Sequence, residues 1–224
     1  MAKISLFIGG ISALPNSGRP TAMFKQQALG TLELGAEGFF GDEQADRRVH
    51  GGPEKAVHLY PAAHYAKLAE RFPEAASQLL PGSLGENISC AELDESSVRI
   101  GDIYRLGSAR LQVCQPRNPC WKIDDRFNAD GMAAFIAETN LTGWYWRVVQ
   151  AGSVQPGATL ELDEAASSAL SLAAAMTLWQ EHRPQPDDLE QLAATPGIAS
   201  GWQEKILNRA AWLRQQFHVK PATP

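Results

Sequence analysis

Cys120 stands in the stretch QPRNPCWKI, behind Pro119, between Arg117 and Lys122, with Trp121 after it. A thiolate is the form of cysteine that attacks an electrophile or ligates a metal, and nearby cations lower a thiol pKa toward it. From residue types alone, Cys120 is a buried small hydrophobe, half of a disulfide, a nucleophile or a metal ligand. Pro116 and Pro119 cannot extend a strand ladder, so the chain leaves its sheet here and Cys120 falls on a loop at a barrel mouth. Cys114, within the strand-like RLQVC, and Cys90, closing NISC, read as inert. Three cysteines behind a leader with no secretory pattern do not suggest a disulfide framework. No second Cys/His pair stands at zinc spacing. His50, His58 and His64 are candidate partners for a cysteine nucleophile, but no protease signature surrounds Cys120. The phosphate-binding patterns GxGxxG and GxxxxGKS/T are absent.

Two further stretches hold more glycine and polar residues than strands require. RRVHGGPEKAVHLYP, residues 47–61, gathers Arg47, Arg48, His50, Lys55 and His58 around a Gly-Gly-Pro turn. Backbone N–H groups with cations on both sides bind a phosphate or another anion. The alternative is a solvated hairpin tip. PGSLGENIS, residues 81–89, offers Glu86 and Asn87 directly before a strand. A carboxylate and a carboxamide can read a heterocycle edge that presents donors and acceptors. Alternatively, Asn87 caps its own backbone in a structural turn.

The elements that must position these residues are mostly strands. KISLFIGG, TLELGAEGF, KAVHLYP, three runs within SSVRIGDIYRLGSARLQVCQ and a final pair within WYWRVVQAGSVQPGATLEL are short, apolar or alternating, and bounded by turn signals. Val57 and Leu59 alternate with polar neighbours in the third. This pattern predicts a β-barrel or sandwich over residues 1–162. Two helices interrupt it, AAHYAKLAERFP, stopped by Pro73, and DGMAAFIAETN, opened near Asn128 or Asp130. Residues 163–224 show no strand pattern and predict a small three-helix domain. Pro184 and Pro186 break its first helix, Asp187 or Asp188 caps the second, and Trp202, Ile206, Ala210, Leu213 and Phe217 form one apolar stripe of the third. The tryptophans and leucines of this segment read as core; the other reading is a surface for docking a partner. The fold class is thus mainly β with helices (α+β).

Lys and Arg number 20 against 25 Asp and Glu, a net charge of −5, which argues against nucleic-acid binding because phosphate neutralisation needs a basic face. The N-terminal MAKISLFIGG lacks the long apolar region and cleavage site of a secretory signal. No apolar run is long enough to span a bilayer. A cytoplasmic protein is expected.

HGGPEKAVHLYP, GSLGENIS, IGDIYRLGSARLQVCQPRNPCWKI and GSVQPGATLEL, in that order, resemble the MOSC domain, the molybdenum-cofactor sulfurase C-terminal domain, and within it the bacterial YiiM-type branch, whose members carry a C-terminal three-helix domain. The resemblance implies a β-barrel. It also implies that the cysteine matching Cys120 ligates molybdenum held by the dithiolene of a pterin, the molybdenum cofactor. A soft thiolate suits a metal already bound by sulfur. Arg47, Arg48, His50, Lys55 and His58 become the contacts for the cofactor's phosphate or pterin. Arg117 and Asn118 stand beside the metal, Lys122 is a further cofactor contact whose charge, with that of Arg117, helps keep Cys120 deprotonated, and Glu86 and Asn87 support the cofactor or substrate pocket. Reductive members of the family, including the mitochondrial amidoxime-reducing component, reduce N–O bonds. The resemblance therefore implies an oxidoreductase for N-hydroxylated bases, amidoximes and hydroxylamines that detoxifies base analogues such as 6-hydroxylaminopurine. No flavin, heme or iron–sulfur motif is present, so a separate flavin- or iron–sulfur-containing reductase is expected as electron donor. No aminotransferase-like sulfurase domain is present, so neither sulfur mobilisation nor pyridoxal phosphate is expected. A cofactor carrier without turnover is the alternative.

Overall fold

In strand β1 (Ala2–Ile8), Ala2, Ile4 and Leu6 are buried at every second position while Lys3 is exposed, the alternation of a strand with one wet face. The computed structural model describes residues 1–166 and 169–218, without the side chains of Arg48, Val49, Phe217 and His218. Six further strands make up the barrel: β2 (Val57–Pro61), β3 (Ile88–Cys90), β4 (Ile103–Leu106), β5 (Ala109–Pro116), β6 (Trp144–Gln150) and β7 (Thr159–Glu164). They are ordered β7-β4-β5-β6-β2-β3-β1, and β1 pairs back onto β7 through Ala2 and Leu160, which closes a seven-stranded barrel. Closure leaves no long sheet edge to template aggregation. Gln26–Gln27 extends the sheet beside β1, and Leu32–Gly35, Gly38–Phe39 and Gly152–Val154 form a small satellite sheet.

The barrel expectation holds, with local corrections. All five residues of β2 are buried, so it does not alternate. It sits between β6 and β3, and β3 runs parallel to it; such a strand meets protein on both faces. SSVRIG is not a strand. Asp94 Oδ1 accepts the N–H groups of Ser96 and Ser97 at 3.0 and 3.1 Å, and Asp102 Oδ2 accepts that of Arg99 at 2.8 Å. These side chains take donors that a ladder would need. The final pair is three strands, because Ala151 separates β6 from Gly152–Val154.

Helices α1 (His64–Arg71), α2 (Lys122–Phe127) and α3 (Met132–Glu138) pack a second apolar cluster around Tyr60, Leu68, Phe127 and Ile136. Helix α2, directly behind Cys120, is not anticipated by the sequence reading. Its six residues are too few for a periodic signal. The C-terminal helices are α4 (Leu172–Gln180), α5 (Pro186–Ala193) and α6 (Ser200–His218). Pro186 opens α5 at its first turn rather than breaking a helix, with Gln185 as the capping residue and Asp187 and Asp188 inside the first turn. Trp202, Ile206, Ala210 and Leu213 of the predicted stripe are buried; the side chain of Phe217 lies outside the described residues. Leu172, Met176, Leu189 and Ile206 join the same buried cluster as the barrel strands. Among the described residues, no helix is long and apolar enough to cross a membrane.

Candidate functional site

The cavity begins where β5 stops. Its register slips between Val113 and Gln115, so Cys114 is the bulged residue. A bulge bends a strand and re-aims the chain beyond it. The backbone N–H of Arg117 then bonds Gly143 O at 3.0 Å, and residues 117–121 run across the barrel mouth before α2 starts. Cys120 is partly exposed, whereas Cys90 and Cys114 are buried. Burial pushes the Cys114 thiol up to about 12 and that of Cys90 upward as well, so both are inert.

Cys120 lines a cavity of about 960 Å³ and a smaller chamber of about 80 Å³; both also touch His50, Lys55, Arg117, Lys122 and Tyr145. The large cavity carries six cationic side chains among the described residues, Arg19, Arg47, Lys55, Arg117, Lys122 and Lys205, against the single carboxylate Asp46. This cluster stands out on a chain of net charge −5. A cleft lined by one sign of charge concentrates the opposite sign.

Arg117 is the most enclosed of these cations, 7 % exposed. Its Nη2 donates to Leu84 O at 3.3 Å, and its Nη1 has no partner among the described residues. Leaving a buried donor unpaired costs about 1–3 kcal/mol, more for a charged group. An anion entering the cavity removes that cost. His50 lies among these cations. Burial first, then Arg117, Lys122 and Lys55, lower its pKa to about 4. At neutral pH it is therefore an uncharged donor or acceptor. Burial and Arg117 also hold His58 well below its ordinary value, and its Nε2, facing the small chamber, has no partner among the described residues.

The structure brings Arg47, His50, Lys55, Arg117, Asn118, Lys122 and Cys120 to the large cavity and His58 and Asn87 to the small chamber. The side chain of Arg48 lies outside the described residues. Glu86 faces neither chamber. Fully buried, its carboxylate accepts the hydroxyl of Tyr65 at 2.5 Å and the N–H groups of Gly82 and Leu84 at 2.6 and 3.1 Å. It braces the glycine loop from inside. Asn87 commits its carboxamide to the frame as well: Oδ1 accepts His58 N–H at 3.1 Å, and Nδ2 donates to Asp42 Oδ2 at 2.8 Å and Phe7 O at 3.3 Å. The Gly-Gly-Pro turn contributes less through its own N–H groups than through Glu54, which anchors α6 and Arg147.

Several lining residues escaped sequence reasoning. Lys25 and Asp42 form a buried pair at 2.5 and 2.6 Å at the chamber floor. Burial pulls the Lys25 pKa down and Asp42 offsets it. Arg19 sits over the Trp121 ring at 5.8 Å, and the hairpin bearing it is strapped to α2 by Asp125, which accepts Asn16 and Ser17 N–H groups at 3.1 Å. Met176, Trp179, Trp202 and Lys205 arrive from the C-terminal helices. Their helical spacing reads as core packing, so nothing local marks them as cavity lining.

The residues fit the pterin cofactor that the sequence implies. The donors are cationic, one lining guanidinium, that of Arg117, keeps a nitrogen without a partner among the described residues, and a partly exposed thiol, that of Cys120, joins the lining. Among the described residues, no three or more His, Cys, Asp and Glu converge as a ligand set. A metal held by a dithiolene brings sulfur ligands of its own and needs few from the protein.

Comparison with known proteins identifies the family of the chain. The MOSC domain family model matches residues 46–161. Protein YiiM of Escherichia coli (strain K12) is 38% identical over 207 residues, which is 92% of this chain and 91% of that protein. A protein named Reductase from Gibberella moniliformis (strain M3125 / FGSC 7600) is 37% identical over 145 residues, 64% of this chain but 26% of that protein. The crystal structure of YiiM from Escherichia coli superposes with a TM-score of 0.79 over 95% of this chain and 94% of that one, at 30% identity. With half its length matched by the family model and a full-length relative of the same fold, this chain belongs to the MOSC domain family and is a homologue of YiiM.

Proposed function

We propose that the protein is a molybdenum-cofactor-dependent reductase of N-hydroxylated compounds, including hydroxylamines, amidoximes and base analogues such as 6-hydroxylaminopurine, and that its role is detoxification. The observation that carries this reading is the juxtaposition of one partly exposed cysteine, Cys120, with a cavity lined by six cations. MOSC domains are associated with the molybdenum cofactor, and one homologue bears the name Reductase.

The net reaction takes R–NH–OH, two electrons and two protons to R–NH2 and water. When bound, the cofactor supplies the two-electron chemistry. The protein's own residues do the rest. Cys120 offers the thiolate ligand. Arg47, Lys55, Arg117 and Lys122 balance the charge of the phosphate tail, with Arg117 contributing the buried, unpartnered donor. His50, uncharged at neutral pH, can hydrogen-bond without adding to the local positive charge. Tyr145 and His58 line the smaller chamber together with Cys120. Electrons come from a separate flavin- or iron–sulfur-containing reductase, and the site is cytoplasmic on this reading.

The test is the molybdenum and pterin content of protein from a cofactor-competent host, wild type beside Cys120→Ser, followed by reduction of 6-hydroxylaminopurine with an artificial donor. About one molybdenum per chain in wild type, lost in the variant together with turnover, supports the reading. Cofactor without turnover on any N-hydroxylated substrate makes the protein a carrier. Absence of metal and pterin even after reconstitution refutes the proposal.

A further inference from the structure

The lining of the large cavity is divided by chemistry. Most of its charge comes from the segments that connect the barrel strands, through Arg19, Arg47, Lys55, Arg117 and Lys122. The C-terminal helices supply its large apolar side chains, Met176 and Trp179 on α4 and Trp202 on α6, together with the polar Gln180 and Lys205. A ligand matching both sides has an anionic part and a flat, apolar part.

Trp179 is held in place from outside the cavity. Arg209 on α6 does not line the cavity, yet its guanidinium sits 5.1 Å from the Trp179 ring centroid and donates to the carbonyls of Trp179 and Glu181. It therefore backs the ring and satisfies the end of α4 at once. The next residue, Gln180, donates to Ala137 O at 2.6 Å, which ties α4 to α3. Met176 is buried, and its sulfur accepts from the Thr142 hydroxyl at 3.6 Å. A stacking surface fixed before its ligand arrives loses little freedom on binding.

We infer that Trp179 is the specificity residue of this wall, stacking the planar aromatic part of the substrate, with Arg209 as the residue that positions it. The identity of the reacting N–O group rests on the function proposed above; the stacking does not. Aromatic stacking accepts any heterocycle with a π face, so this wall selects aromatic over small aliphatic substrates without reading a particular base.

The test compares 6-hydroxylaminopurine with N-methylhydroxylamine as substrates of the holoenzyme. In parallel, binding of adenine to cofactor-free protein is measured by equilibrium dialysis. Trp179→Ala is expected to raise KM for the purine roughly tenfold to hundredfold, the usual worth of one stacked base. It should leave kcat and both constants for N-methylhydroxylamine within about twofold and weaken adenine binding in proportion. Trp179→Phe should keep most of the affinity. Arg209→Ala should raise the purine KM severalfold, and Arg209→Lys should partly restore it. If Trp179→Ala melts well below wild type, the Phe and Arg209 variants decide. Equal changes for both substrates, or no change in purine KM and adenine affinity, overturn the inference. A wild type that reduces neither substrate overturns the reductase reading instead, and adenine dialysis then decides the wall by itself: binding that depends on Trp179 supports it, and no such binding overturns it.

Discussion

Glu54 and Ser200, 146 positions apart in sequence, are joined by three hydrogen bonds: the carboxylate accepts the Ser200 N–H at 3.0 Å through each oxygen and the Ser200 hydroxyl at 2.8 Å. Ser200 is the first residue of α6, so its N–H is one of those a helix leaves without an internal partner. The same carboxylate takes Arg147 at 2.7 Å. One side chain on the Gly-Gly-Pro turn thereby docks the last helix against the barrel and sets Trp202 and Lys205 at the cavity.

Loss of this junction should show as instability in acid. Burial alone would raise the Glu54 carboxyl, but the Ser200 groups and Arg147 outweigh it and hold the pKa below its ordinary 4.5. A carboxyl depressed in the folded state contributes stability above its unfolded pKa and loses it as pH falls through the folded value. Glu54→Gln should therefore lower the melting temperature at pH 7 by a few degrees, consistent with about 1 kcal/mol for a part-exposed group. The gap should close below pH 4.5, which thermal denaturation across pH would read.

His50 sets a second, higher window. Its folded pKa of about 4 lies below its ordinary 6.5, so between these values the unfolded chain binds a proton that the folded chain does not. Stability then falls as pH drops from 6.5 to 4. His50→Gln should flatten that part of the profile. An anion bound in the cavity should raise the His50 pKa, which imidazole NMR titration with and without phosphate would detect.

The two cysteines of this region should behave oppositely. Cys120→Ser is nearly isosteric on a half-exposed loop, so its melting temperature should stay close to wild type while cofactor and turnover are lost. Cys114 donates through sulfur to Glu54 O at 3.1 Å. A serine hydroxyl finds the same acceptor, so Cys114→Ser should retain turnover and cost about 1 kcal/mol or less. Normal reduction by the Cys120 variant would remove it as a ligand.

Arg117→Met keeps an unbranched stem of similar bulk and removes the charge and the unpartnered donor. A hydrogen bond to a charged group contributes about 1.5–3 kcal/mol, so affinity for inorganic phosphate and retention of cofactor should each fall about tenfold or more. Calorimetric titration with phosphate, wild type against variant, checks the first; unchanged affinity would assign the cavity's anion affinity to its more exposed cations.

The barrel, the helical tail, the cysteine that stands apart and the cationic turn were legible in the chain, because alternation, proline and glycine positions and charge clustering are local signals. The family resemblance rested on motifs of the same kind. What the sequence could not decide is where side chains direct their hydrogen bonds. Glu86 and Asn87 present polar atoms in a motif, yet packing turns both into the frame, bonded to Tyr65, Gly82, Leu84, His58 and Asp42. Glu54 looks like an ordinary turn residue until α6 folds against it. Trp179 and Trp202 belong to a helical apolar pattern, and only the docking of that helical segment on the barrel turns part of that pattern into a cavity wall. Such contacts span tens to more than a hundred residues and have no local periodicity, so only the tertiary structure assigns them.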